Sequence, residues 1–270
     1  MAIKRILVVS GSRADYGLLE WPIKVLKEHG FEVDYLEIWG TSFDLSYLTI
    51  STHLSNTQPD LLFIVGDRFE ILASATAAHL QRTPIAHLCG GDVTEGSYDD
   101  AMRDAISRMA SIHFVTSTSS MARLTHMGFR NVHLTGSTGI DYIRHADWRR
   151  DNPYQRPYVV VSYQPETIDG TVDLDSVNEA IAGRYAIWIS PNLDRGSDRI
   201  PKGQAFPHAE FLNLLLHCDE FIGNSSAMIY EAPELGIKTH MIGKRQKGRV
   251  IPWGDGNASE RIATILKYIA

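Results

Sequence analysis

The stretch "RILVVSGSRADYGLLEWPIKVLKEHG" (residues 5–30) opens with four aliphatic residues, Ile6–Val9. It turns through Gly11, Ser12 and Arg13, then places apolar side chains at Leu18, Leu19, Ile23 and Leu26. The apolar run has the length of a strand, and the spacing after it is helical, so the stretch reads as strand, turn, helix. The same alternation recurs further along. "FEVDYLEI", "LLFIVG", "PIAHLC", "IHFVTS" and "NVHLTG" are strand candidates, with helical stretches such as "FEILASATAAHLQR" and "YDDAMRDAISRMA" between several of them. Repeated strand–helix–strand units predict a parallel sheet flanked by helices. Pro22 sits early in the first helix and predicts a bent start or a helix that begins near it.

The polar, proline-punctuated "RRDNPYQRPY" (149–158) reads as a linker, after which the strand "YVVVSY" starts a second, shorter series: "YAIWIS", "EFIGNSS", "KTHMIG" and a last amphipathic "SERIATILKYI". The expected architecture is α/β, with two lobes facing one another across a cleft, residues 1–150 and 151–270. A chain of 270 residues suits two domains.

Composition narrows the classes. With 26 basic and 32 acidic residues the net charge is −6, which argues against nucleic-acid binding through bulk charge. Two cysteines, Cys89 and Cys218, make neither a disulfide framework nor a zinc cluster, so a reducing, cytoplasmic setting is expected. The apolar start is too short for a secretory signal, and no run approaches a membrane span. The eleven histidines show no paired ligand spacing, and no metal site or cofactor is expected.

Turns that follow strands of a parallel sheet are where such folds bind anions. Gly11, Ser12 and Arg13 form one, although an arginine on any surface turn would look the same. "IVGDRFE" ends another strand with Asp67 and Arg68. "HLCGGDVTEGSYDDAMR" offers Asp92 and then Asp99, Asp100 and Arg103. Carboxylates gathered in one place suit proton removal and redelivery, while Asp99 and Asp100 could equally complement a helix dipole. In the second half, "EFIGNSSAMIYEAPELG" puts Asn224, Ser225 and Ser226 at the start of a helix that carries Glu231, nearly two turns on. That is a phosphate site or simple serine capping. "SPNLDRG" presents Asn192 and Asp194 in what could be a plain turn, and "GKRQKGR" presents Arg245 and Arg249 in a basic loop whose sign suits a diphosphate.

Taken together, "GSRADYGLL", "GDRFE", "GGDVTEGSYDDAMRDAISRM", "TGSTGID", "YQPET", "PNLDRG", "GNSSAMIYEAPELGIKT" and "GKRQKGR" resemble the UDP-N-acetylglucosamine 2-epimerase family. Within it, the resemblance is to the hydrolysing branch that supplies N-acetylmannosamine-type sugars for sialic or legionaminic acid. It implies two Rossmann-like lobes of the GT-B type, the first carrying the catalytic carboxylates and the second binding UDP. It also implies a UDP-sugar substrate, no nicotinamide and a homodimer. Arg13, Arg68, Ser225 and Ser226 would hold the diphosphate and Glu231 the ribose; Asp67 and the Asp99/Asp100 pair would stand in catalytic positions. The implied reaction is anti elimination of UDP across C1 and C2 followed by addition of water. The alternatives are another nucleotide-sugar enzyme of this fold, such as a glycosyltransferase or a non-hydrolysing epimerase, and a UDP-sugar-binding protein with impaired chemistry. Three departures stand out. Gln164 occupies a catalytic position where the family usually has histidine, and it cannot titrate. Cys89 stands where glutamate or histidine is common. The chain is also shorter than the family's usual length, chiefly between "DYLEIWGTS" and "NTQPDLLF".

Overall fold

Ile6–Val9 lie in a strand, β1 (Arg5–Ser10), buried along nearly its whole length. The computed structural model describes residues 3–192 and 195–269. After β1 come α1 (Arg13–Glu28), β2 (Glu32–Glu37), α2 (Phe43–Thr57), β3 (Leu61–Val65) and α3 (Phe69–Leu80). The alternation continues with β4 (Ile85–Leu88), α4 (Asp100–Met109), β5 (Ile112–Val115), α5 (Thr118–His126), β6 (Val132–Leu134) and α6 (Thr138–His145). The six strands form one parallel sheet in the order β2-β1-β3-β4-β5-β6. The chain steps outward from β1 to β2 and then returns to β1's other side with β3. Val9 pairs with Ile64, so the carboxyl ends of β1 and β3 lie level, and the reversal of winding between them opens a crevice at that edge.

α1 starts at Arg13, nine residues before Pro22, and runs as one helix through it, so Pro22 does not mark the helix start. Proline has no N–H for the carbonyl of Leu18, one turn back, and the Thr138 hydroxyl of α6 donates to that oxygen instead, at 2.6 Å. α2 is the one helix in the segment where the chain is short, and it packs on α3.

The "RRDNPYQRPY" segment has neither helix nor strand. Beyond it lie β7 (Val159–Ser162), α7 (Leu174–Ile181), β8 (Ala186–Trp188), α8 (His208–Leu216), β9 (Glu220–Gly223), α9 (Ala227–Tyr230), α10 (Ala232–Leu235) and β10 (Thr239–Met241). These four strands are also parallel, in the order β10-β9-β7-β8, so the winding again reverses, here between β7 and β9. The expected single helix after "GNSS" is two short helices that meet at Glu231. Pro233 accounts for the break, since its ring and missing N–H cannot continue the turn begun at Ile229.

The last helix, α11 (Ala258–Tyr268), packs with the first sheet: its Ile262, Ala263 and Leu266 share a core with Leu19, Val25 and Leu26 of α1. Its amino end is fixed by Asp141 of α6. That buried carboxylate accepts the N–H groups of Ala258 (3.1 Å) and Ser259 (2.6 Å), two donors that no helical carbonyl can reach. By contacts the chain divides into two compact units. Unit 1 takes the chain up to Val93, Asp99–His145 and everything from Pro252 onward; unit 2 takes Thr94–Tyr98 and Ala146–Ile251. Among the described residues no helix is long and apolar enough to cross a membrane.

Candidate active site

In unit 1 the turn after β1 is built by two short bonds. The Ser12 hydroxyl caps α1 by accepting the Asp15 N–H (3.2 Å), and Gly11 N–H donates to Asp15 Oδ2 (3.0 Å). Asp15 is buried. Loss of water pushes its carboxyl up to about 7, with the charge of Asp67 adding to the rise and Arg68 opposing it. Arg13, the first residue of α1, is exposed. The turn after β3 carries Asp67 and Arg68. Arg68 reaches Glu70 through Nε and Nη2 (3.1 and 3.2 Å), and Glu70 is fully buried, so this arginine has a carboxylate partner of its own.

Arg103 of α4, only 2% exposed, gathers the carboxyl edge of the sheet around one guanidinium. Nη2 meets Asp67; Nη1 meets Asp100 in the first turn of α4 and donates to the Asp92 carbonyl (2.6 Å). The Asp92 carboxylate is itself held by the Ser120 (2.6 Å) and Thr116 (3.2 Å) hydroxyls. Asp99 precedes α4 without capping it through its side chain. The structure thus brings Asp67, Asp92, Asp100 and Arg103 together. Two aspartate carboxylates and one aspartate carbonyl thereby share a single buried cation.

His87 of β4 supports this group from beneath. Its Nε2 lies 2.8 Å from the Gly66 carbonyl and its Nδ1 lies 3.0 Å from the Ser107 hydroxyl of α4. A carbonyl only accepts, so Nε2 carries the proton and Nδ1 takes the hydroxyl. Burial pushes the imidazole down to about 4 and keeps it neutral.

Unit 2 presents a different edge. Asn224, at the end of β9, is fully buried; its Oδ1 accepts the Gln164 N–H (2.7 Å) and its Nδ2 donates to the Gln164 carbonyl (2.8 Å). Gln164, 5% exposed, accepts the Asn192 N–H on its Oε1 (2.7 Å). Three strand ends, of β7, β8 and β9, are thereby fastened by two amide side chains. Gly223 permits the close approach: its φ is +134°, and a Cβ there would overlap the Ser162 carbonyl. The basic loop after β10 joins the same edge through Gln246 Nε2 on the Asn224 carbonyl (2.8 Å) and Arg245 Nη1 on the Pro165 carbonyl (2.7 Å). Arg249 donates from Nε to Thr94 Oγ1 (2.8 Å) and stacks on Tyr230. Ser225 accepts the Ala227 N–H (3.3 Å), and Ser226 immediately precedes α9. Asp194 lies outside the described residues.

Among the described residues of unit 2, the side-chain oxygens Glu231 Oε2 and Gln246 Oε1 are enclosed with no donor. Glu231 sits at the break between α9 and α10, where burial pushes its carboxyl up to about 7. Enclosed oxygens of this kind call for hydroxyl or N–H donors, not phosphate.

The sequence pattern that defines the UDP-N-acetylglucosamine 2-epimerase family matches residues 39–251. The chain belongs to that family. Among curated family members, the UDP-N-acetylglucosamine 2-epimerase of Neisseria meningitidis serogroup B is 28% identical over 92% of this chain and 81% of its own length. The UDP-N,N'-diacetylbacillosamine 2-epimerase (hydrolyzing) of Legionella pneumophila is 27% identical over 92% and 83%. Among solved structures, the Methanocaldococcus jannaschii UDP-GlcNAc 2-epimerase in complex with UDP-GlcNAc and UDP aligns with a TM-score of 0.79 at 15% identity, covering 98% of this chain and 99% of that one. The Neisseria meningitidis enzyme bound to UDP-GlcNAc aligns with a TM-score of 0.77 at 15% identity, covering 97% and 99%. These likenesses establish the GT-B fold of the family, with parallel sheets flanked by helices in both units.

Among the polar residues of these edges, Asp15, His87 and Gln246 escape a reading of the sequence for candidate site residues. Asp15 was in view inside "GSRADYG", but only its burial against the neighbouring turn sets it apart from a helix-start acid. Nothing in "PIAHLC" marks His87, because its partners come from β3 and α4.

Proposed function

We propose that the chain is a hydrolysing epimerase, converting UDP-N-acetylglucosamine, or a related UDP-2-acetamido sugar, into UDP and the C2-inverted free sugar. The observation that carries this reading is the grouping of Asp67, Asp92 and Asp100 around the Arg103 guanidinium. A base takes the C2 proton while the C1–O bond breaks and UDP departs with that electron pair, leaving a 2-acetamidoglucal. Water then adds its oxygen at C1, and a proton is delivered to C2 from the opposite face. Asp67 and Asp100 are assigned to the proton transfers, with Arg103 setting their charge. Glu231 is assigned to the ribose, a hydroxyl donor for its enclosed Oε2, and Gln246 Oε1 takes a second donor of the nucleoside. Arg13, Ser225 and Ser226 are assigned to the diphosphate. Relatives named as hydrolysing enzymes, at 26–27% identity, support the choice of branch.

The test follows UDP-N-acetylglucosamine in deuterated water by proton NMR. Free N-acetylmannosamine with deuterium at C2 is the expected product. UDP-N-acetylmannosamine would assign the chain to the non-hydrolysing branch, and UDP binding without turnover would leave a binding protein.

A further inference from the structure

Asp15 is a buried carboxyl that the mechanism above does not use. Its Oδ2 accepts from Gly11 in the turn after β1. Its Oδ1 faces the turn after β3, close enough to Gly66 that a Cβ there would approach it to 3.9 Å. These two turns flank the point where the sheet's winding reverses. A structural role needs only an oxygen for the Gly11 N–H and the Ser12 hydroxyl, which an asparagine supplies equally well. A carboxyl in that place also brings a charge beside the Asp67–Arg68 pair.

We infer that Asp15 is a positioning residue for proton transfer at Asp67: it fastens the β1 turn, and its ionisation strengthens the neighbouring carboxylate as a base. The inference rests on the epimerase reading. The charged groups that bear on it are Asp67 and Arg68 in the β3 turn, Glu70 of α3 which holds Arg68, and Arg103 of α4 which holds Asp67. Asp67 raises the proton affinity of Asp15 and Arg68 lowers it. The influence is mutual, so an ionised Asp15 makes its neighbour hold a proton more firmly. Burial puts the Asp15 midpoint at about 7, inside the working range of pH.

Two measurements test it. In the pH profile of kcat, the parent enzyme should show a step near neutrality. Asp15→Asn should remove that step and lower the high-pH plateau about fivefold or more, with KM little changed. A folded Asp15→Asn enzyme with the parent profile would overturn the inference and leave Asp15 a structural acceptor. The second measurement needs no turnover and no Asp15 variant: the carboxyl carbon of Asp15 is titrated by NMR in the parent protein, in Asp67→Asn and in Arg68→Met. The midpoint should fall in Asp67→Asn and rise in Arg68→Met. A midpoint in the ordinary carboxylate range, or one that neither change moves, would overturn the inference. If UDP-sugar turnover is absent while these shifts are present, the coupling stands and the epimerase reading fails.

Discussion

The carboxyl edges of the two sheets share a topology and differ in chemistry. Both sheets are parallel, and in both the winding reverses between the first and third strands, β1 and β3 in one, β7 and β9 in the other. At the first edge the polar groups are ionic: Asp67 and Asp100 on Arg103, Glu70 on Arg68, and Asp15 beneath. At the second edge the fastening is done chiefly by amides, Asn224, Gln164 and Gln246, which hold main-chain groups, and Arg245 beside them donates to a carbonyl. Topology therefore sets where a ligand can sit, and the side chains decide what happens to it there. An ionic edge can change its proton content during a reaction. Amide side chains do not change their charge with pH.

The sharpest way to break this comparison is to remove the centre of each edge. Arg103→Leu deletes the cation and leaves Asp67 and Asp100 facing each other without it, a loss of about 3–5 kcal/mol. Asn224→Leu keeps the branched shape, though not the volume, and strands the Gln164 N–H and carbonyl, a loss of about 2–3 kcal/mol. Hydrogen exchange at β3 and at β9 reads each unit separately. The two losses should respond differently to charge. Arg103→Lys restores a cation and should recover part of the first loss, whereas Asn224→Asp should not recover the second, because a carboxylate has no N–H for the Gln164 carbonyl. Equal recovery would show that the distinction between the edges is not electrostatic.

Strands and turns were legible from the sequence because they depend on local pattern. Each of the apolar runs from "RILVVS" to "NVHLTG" contains a strand of the first sheet, and the turns after β1 and β3 carry the expected Arg13, Asp67 and Arg68. What escaped depends on partners far along the chain. Pro22 looked like a helix boundary because the hydroxyl that relieves Leu18 belongs to Thr138. The helix through Glu231 looked continuous because "SSAMIYEAPELG" has helical spacing, although Pro233 could have warned of the break. Asp141, which fixes the start of α11, looked like any acid in a helix. Among the site residues, the carboxylates were visible as candidates, but their common partner was not. Arg103 could be named from the motif; that it bridges Asp67 and Asp100 comes from the way β3 and α4 pack. The same holds for Gln164, whose inability to titrate was plain and whose work in tying three strand ends was not.

Glu231 stands apart at the amide edge as a group that can titrate near neutrality, and it supplies the finest test of the contrast. Burial raises its carboxyl to about 7, and its Oε2 is enclosed with no donor among the described residues. If a ribose hydroxyl donates to it, the ionised form binds more tightly than the protonated one, because a hydrogen bond to a charged acceptor is the stronger of the two. UDP affinity, measured by calorimetry, should then rise as the pH increases from 6 to 8, with proton release on binding near pH 7. Glu231→Gln should flatten that dependence and lower affinity at pH 8 about tenfold, close to 1.4 kcal/mol. The variant also removes a buried charge, so its stability at pH 8 should not fall. Weaker binding without lost stability separates a nucleoside contact from a folding role, and a flat pH dependence in the parent protein would remove Glu231 from the nucleoside contacts.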